Sequence, residues 1–405
     1  MSRTYPIYLV IVTVLIFIII QSCSKEKPTV RIGIIHSLSG TMAFSERPLV
    51  DVLILAIEEV NNKGGVLGHK IVPIIVDGRS TPDIFAKEAE RLIVEEHVSA
   101  IFGCWTSACR KAVKPVVEKY QHLLFYPVQY EGLEQSPNII YTGATANQQI
   151  IPSITWALNH LGTRFFLIGS DYIFPRTASV IIKDLLVAQQ GEIVAEHYIP
   201  LGENKVSSII DDIERLQPDV ILNTLNGDSN IAFFEALNKI KSPPVISFRI
   251  AEPELAKIGA KLMFGHYSVW SYFQTIDSIE NKDFVTNIKK RFGEQTVVSD
   301  PMEASYIGFQ LWIKAVEHAD SFEPLRVNAV IGTESLNAPE GVVAVDSLTH
   351  HLWKIARIGQ ARKDGQFTIV WQSNMPIQPV PYPSYRSKKD WEKIAERLSE
   401  GEYTR

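Results

Sequence analysis

Val30–Val76, VRIGIIHSLSGTMAFSERPLVDVLILAIEEVNNKGGVLGHKIVPIIV, reads as one strand–helix–strand unit and decides the fold class. Its first seven residues, Val30–His36, form a dense apolar run, the mark of a strand buried on both faces. Ser37–Thr41 (SLSGT) turns the chain. Leu49, Leu53, Ile57 and Val60 then recur at helical spacing, and Asn61–Gly65 (NNKGG) stops that helix. Ile71–Val76 is a second strand. Pro73 within it has no N–H for a ladder, which points to the edge of a sheet.

The alternation continues outward. Thr81-Pro82-Asp83 opens a helix with proline in its first turn. Ala100–Gly103 and Leu123–Tyr126 are strands, and the helix between them starts at Thr106 or Ser107 and runs towards Tyr120. After about residue 148 the pattern restarts. Gln148–Leu161 and Phe174–Gln189 read as helices; Arg164–Gly169, Ile193–Ile199, Val220–Asn223 and Val245–Phe248 read as strands. Repeated β-α-β implies mostly parallel sheets covered by helices on both faces. Two such runs in 405 residues predict an α/β protein of two lobes. The tail differs. Gly341–Val345, Leu352–Ile358 and Phe367–Gln372 look like antiparallel strands, Gln378–Ser384 like a linker, and Lys388–Ser399 like a peripheral charged helix.

Composition narrows the function. The chain is 46% hydrophobic and 21% charged, with a formal net charge of −5. That is a globular balance, and without a basic stripe it disfavours nucleic acid. At the N-terminus, Ile7–Ile20 carries no charge. The run is short for a spanning helix, which needs roughly 20 residues, and fits the apolar region of a secretory signal. It ends at Ile20-Gln21-Ser22-Cys23, which resembles a bacterial lipobox. Residues 1–22 are therefore expected to be a signal peptide, Cys23 the lipidated residue, and 23–28 a polar tether. Cys104 and Cys109 could pair in an exported protein, but two buried thiols are the favoured reading, because one ends a strand and the other starts a helix. No zinc spacing occurs.

Ligands of open parallel sheets sit beyond the carboxyl ends of the strands. The residues there include Ser37, Trp105, Thr106, Ser107, Gln129, Tyr130, Asp171, Tyr172, Asp228 and Glu252. They supply hydroxyls, amides, aromatic rings and carboxylates, with no lysine and one nearby arginine, Arg249. That set suits a small, neutral, hydrogen-bonding ligand. No GxGxxG or GxxxxGK[ST] phosphate loop occurs, and no cofactor is implied. Each residue has a plainer use as well: Thr106 or Ser107 as a helix cap, Asn226-Gly227-Asp228 as a turn, Glu252 as a partner of a helix dipole. An amidase with Cys104 or a serine as nucleophile needs an adjacent base. Only His36 lies near these loops, so no enzyme is expected.

Several segments together resemble the urea-binding proteins of ATP-driven uptake systems and their short-chain-amide relatives, within the branched-chain amino-acid receptor group. They are Gly33–Thr41 (GIIHSLSGT), Phe102–Ser107 (FGCWTS), Leu124–Gly132 (LFYPVQYEG), Tyr141–Gln149 (YTGATANQQ), Leu167–Thr177 (LIGSDYIFPRT), Asn223–Asn230 (NTLNGDSN), Ser299–Ile307 (SDPMEASYI) and Ala338–Gly341 (APEG). The likeness covers about residues 30–380. It implies the two-lobed type I fold of periplasmic binding proteins, with urea in the cleft and a membrane permease as partner; the alternative is a receptor or sensor for a short-chain aliphatic amide or an amino acid. It further implies three crossovers. Residues 29–147 plus 275–345 then form lobe one and 148–274 plus 346–383 lobe two, with 384–405 as a C-terminal extension. Arg249 departs from the pattern, standing where a small polar residue is expected.

Overall fold

The computed structural model describes residues 27–399 and 401. Cys23 and the signal segment lie outside them. Among the described residues no helix is long and apolar enough to cross a membrane.

The chain starts with β1 (Thr29–His36), α1 (Ala43–Asn62), β2 (Lys70–Asp77), α2 (Pro82–Val94) and β3 (Ile101–Gly103). α3 (Ser107–Lys119), β4 (Leu124–Tyr126) and β5 (Ile139–Tyr141) follow. Then come α4 (Ile150–His160), β6 (Arg164–Ser170), α5 (Ile173–Ala188), β7 (Glu192–Ile199) and α6 (Ser207–Leu216). β8 (Val220–Thr224), α7 (Ser229–Leu237), β9 (Val245–Ser247), α8 (Glu252–Ile258), α9 (Ala260–Met263) and β10 (Tyr267–Trp270) complete the second run. The remainder is α10 (Ile279–Phe292), α11 (Asp300–Ala319), α12 (Pro324–Ile331), β11 (Ser335–Ala338), β12 (Gly341–Val345) and β13 (Leu352–Trp353). β14 (Arg357–Ala361), β15 (Phe367–Gln372) and α13 (Lys388–Ser399) end it.

Two main sheets result. The first is parallel, ordered β2-β1-β3-β4-β5. β2 lies at its edge, where Pro73 costs no ladder bond. The second is ordered β15-β14-β10-β9-β8-β6-β7, parallel from β7 to β10 and closed by antiparallel β14 and β15. A small antiparallel sheet, β11-β12-β13, packs with the first lobe through Ala338, Val343 and Leu352. Alternation along the strands builds a core on each face. In the first lobe Ile32 and Ile34 face Phe102, Phe125 and Trp312, while Ile35 faces the opposite core. In the second, Phe166 and Ile168 point one way, Phe165 and Leu167 the other.

Three expectations change. Leu352–Ile358 is not one strand. Leu352–Trp353 completes the small sheet and Arg357–Ala361 joins the second sheet, so Lys354–Ala356 carries the chain between lobes. Nor are Cys104 and Cys109 free thiols: they form a disulfide, with Cα atoms 6.4 Å apart. Cys109 lies in the first turn of α3, which folds directly back over the end of β3. Finally, α13 is docked rather than loosely peripheral. Trp391 is fully buried among the α4–α5 core residues and donates from Nε1 to Pro383 O at 2.7 Å.

Candidate functional site

The lobes meet along the carboxyl ends of their strands. Gln129, after β4, donates from Nε2 to Phe248 O, after β9, at 2.8 Å. Ser45 Oγ donates to Glu254 Oε1 at 3.2 Å, and Lys257 Nζ sits 4.3 Å from the Phe44 ring centre. The cleft is thus closed in this structure.

Inside that boundary several polar atoms are buried without partners among the described residues: Gln129 Oε1, Trp105 Nε1, and all three nitrogens of the Arg249 guanidinium. Arg249 is 2% exposed, and its guanidinium lies 4.1 Å over the Phe174 ring. Burial pushes the Tyr126 hydroxyl up to about 12, while the charges of Arg110 and Arg249 pull the other way. Burial also raises Tyr172, again opposed by Arg249. Arg249 thus lies over Phe174 of the second lobe and within electrostatic reach of Tyr126 of the first and Tyr172 of the second. Tyr126 donates to Trp105 O at 2.7 Å, and Asn226 Nδ2 lies 3.4 Å from the Tyr172 hydroxyl.

The other expected residues serve varied ends. Thr106 is the cap of α3: its hydroxyl accepts from Cys109 N at 3.1 Å. Ser107 Oγ donates to Glu131 Oε2 at 2.6 Å, and Arg110 Nη2 donates to Glu131 Oε1 at 3.2 Å. Arg110 Nε also donates to Glu134 Oε1 at 2.8 Å. Burial alone would raise Glu134, but Arg110 and Lys111 bring it below the ordinary carboxylate value. Tyr130 lies behind this network, stacked on Tyr141 and bonded to His351 at 2.5 Å. Ser37 is buried in its turn, its N–H donating to Glu46 at 2.8 Å and its hydroxyl accepting from Ser80 N at 3.0 Å. Asp171 pairs with Arg176 at 2.9 Å. Asp228, with its side chain 69% exposed, pairs with Lys257 at 2.6 Å. Glu252 is fully buried, and its Oε1 accepts from Gln274 N at 2.8 Å. Burial pushes its carboxyl up to about 8. At neutral pH it is an uncharged acid with one free oxygen, not a two-oxygen anionic acceptor. The sequence reading passed over Tyr126 and Glu131. It counted Arg249 as the one arginine near the strand ends and as a departure from the family pattern, not among the candidate site residues.

A second buried cluster ties the crossovers. Lys354 Nζ donates to Thr142 O at 2.8 Å and lies 3.2 Å from Glu340 Oε2. Arg357 donates to Glu340 O at 2.8 Å and to Ser271 O. Asp300 Oδ2 accepts from Ser271 N and Tyr272 N at 3.0 and 2.9 Å, and Glu303 Oε1 accepts from Glu340 N at 3.0 Å. Burial raises Asp300, Glu303 and Glu340 above the ordinary carboxylate value.

Comparison with known proteins places this geometry. Residues 30–388 match the family described as periplasmic binding protein domain. A Leu/Ile/Val-binding protein homolog of Brucella melitensis is 24% identical over 338 residues, covering 80% of this chain and 85% of that protein. A protein named limonene hydroxylase from Geobacillus stearothermophilus is 37% identical over 149 residues, but that stretch is only 27% of its length. Among solved structures, a solute-binding protein of Rhodopseudomonas palustris in complex with p-hydroxybenzoic acid superposes with a TM-score of 0.79. It has 23% identity, over 86% of this chain and 98% of that one. A leucine-binding protein of Thermotoga maritima gives 0.76 at 19% identity, over 85% and 99%. The matched span and the two-sheet architecture agree: the chain belongs to the periplasmic binding proteins, extracytoplasmic receptors of small solutes, and has their type I fold.

Proposed function

We propose that this protein captures a small planar solute between its lobes and delivers it to the permease of an ATP-driven uptake system, held at the membrane through lipidated Cys23. The observation that carries this is the set of unpartnered buried polar atoms at the strand ends of both lobes: Trp105 Nε1, Gln129 Oε1 and the Arg249 guanidinium. A buried donor or acceptor without a partner costs about 1–3 kcal/mol, which a bound solute would relieve. Urea or a short amide is the solute implied by the sequence resemblance. Its carbonyl suits Arg249, and its N–H groups suit Gln129 Oε1. A carboxylate solute is the second reading. It is favoured by the charge on Arg249, and the similar solved structures include a leucine-binding protein and a solute-binding protein in complex with p-hydroxybenzoic acid.

Chemistry on the solute is not part of this proposal. Cys104 is held in a disulfide, so it offers no thiolate nucleophile. A thermal-melt panel of urea, acetamide, leucine and 4-hydroxybenzoate tests the receptor reading. One class is expected to stabilise the protein by about 2.7 kcal/mol at a hundredfold excess over Kd, with the solute recovered intact. Release of ammonia from either amide would overturn it.

A further inference from the structure

We infer that the solute carries a carboxylate and that Arg249 is its counter-charge. This rests on the interlobe receptor reading and narrows it.

The argument is an inventory of charge in the cleft. Arg249 follows β9, near the middle of the second sheet, and is 2% exposed. A guanidinium does not lose its proton in a protein. It presents five N–H donors, and none of its three nitrogens has a partner among the described residues. Among the described residues no carboxylate of the facing lobe bonds to Arg249. Glu131 spends one oxygen on Ser107 at 2.6 Å and the other on Arg110 at 3.2 Å. Glu134 is held by Arg110 at 2.8 Å and by Lys111 at 3.7 Å. In the second lobe, Asp171 is paired with Arg176 and Asp228 with Lys257. Burial pushes the Glu252 carboxyl up to about 8, which favours its uncharged form at pH 7.

A lone buried cation is among the costliest features a closed cleft can have. The charge that pairs it must arrive from outside. The planar fork matches the two oxygens of a carboxylate side by side. Urea offers one carbonyl oxygen and no charge, so it would leave most donors and the whole charge unmet. The Phe174 ring, 4.1 Å beneath the guanidinium, fixes the fork's plane. Tyr126 and Tyr172 within its electrostatic reach, with Trp105 bonded to Tyr126 through its carbonyl, favour a flat, unsaturated body behind the carboxylate.

The same inventory gives closure a cause. In an open cleft water solvates Arg249. Closing without an anion strands the charge, whereas closing on a carboxylate pairs it. The solute therefore supplies the differential interaction that shifts the open–closed balance.

The test uses isosteric pairs on the intact protein: benzoate against benzamide, and 4-hydroxybenzoate against 4-hydroxybenzamide, with urea and acetamide alongside. Calorimetry is expected to show the acid of each pair bound about 30- to 1000-fold more tightly than its amide, the range of a buried charge partner. Arg249→Met should lose that preference and keep the fold; Arg249→Lys should restore part of it. Without solute, Arg249→Met should melt no lower than wild type, because in the open cleft the guanidinium is solvated and makes no bond that the substitution would remove. Amides or urea bound as tightly as the acids would overturn the carboxylate and leave the receptor reading standing. An Arg249→Met protein that keeps the acid preference would do the same. If no solute of either class binds, both fall together.

Discussion

Lys354→Met is expected to destabilise the protein by about 3–5 kcal/mol at pH 7, the usual cost of removing one partner from a buried ion cluster. Lys354 stands where all three crossovers converge. It donates to Thr142 in the first, and its partner Glu340 shares Arg357 with Ser271 of the second. Among the described residues, Lys354 and Arg357 are the cations that act on Asp300 and Glu340, and Lys354 acts on Glu303 as well. Deleting one leaves carboxylates that must hold protons to stay buried. Their folded values already lie above the unfolded ones. Such groups contribute stability that is full below the unfolded value and lost as pH rises through the folded one. For Glu252 that window runs from about 4.5 to about 8. The wild type should therefore lose stability as pH rises through it, by up to about 1.4 kcal/mol per pH unit for each such proton. Without Lys354 the three neighbouring carboxyls rise further, so the cost of the substitution should be smaller at pH 5 than at pH 8. Guanidinium unfolding at both pH values reads this directly; a cost that is flat with pH would break the electrostatic account of the hinge.

Gly103→Ala is expected to cost more than about 4 kcal/mol, at the exceptional end for single substitutions. Gly103 has φ +140°, and a Cβ there would lie 1.9 Å from Ile35 O in the neighbouring strand. Backbone has to move to admit it, and β3 leads straight into Cys104 and Trp105. Gly265 is the control. Its φ is +85°, but a Cβ would meet nothing within 4 Å, so Gly265→Ala should cost only about 1–2 kcal/mol of left-handed strain. Equal melting temperatures for the two variants would refute the steric argument.

Much of the fold was legible because parallel strands buried on both faces write themselves as apolar runs. β1, β6 and β8 could be read within a residue or two of their ends. The tail was less so. Leu352–Ile358 has strand composition throughout, and nothing local says that Lys354–Ala356 leaves one sheet for another. That depends on Lys354 finding Glu340 and Thr142, partners 14 and 212 positions away in the chain. The disulfide was missed for a similar reason. A strand end and a helix start looked incompatible until the turn between them was seen to bring the Cα atoms within 6.4 Å. Of the candidate site, the strand ends pointed to the boundary where the two lobes meet. Residue type alone did not separate Thr106, spent on a helix cap, from Trp105, whose indole N–H is unspent. Arg249 was visible as an odd residue. Its meaning required knowing that none of its nitrogens has a partner among the described residues.

The central claim is that a solute closes two lobes around itself. Small-angle scattering of the full protein, without solute and saturated with the one that binds, tests it most directly. Hinged lobes should close as rigid bodies on binding, and unpaired Arg249 should hold the solute-free cleft open. The predicted result is a larger radius of gyration without solute, and with it a smaller one that matches the closed structure described above. A solute-free protein that already scatters as the closed form, with no change at saturation, would contradict the account.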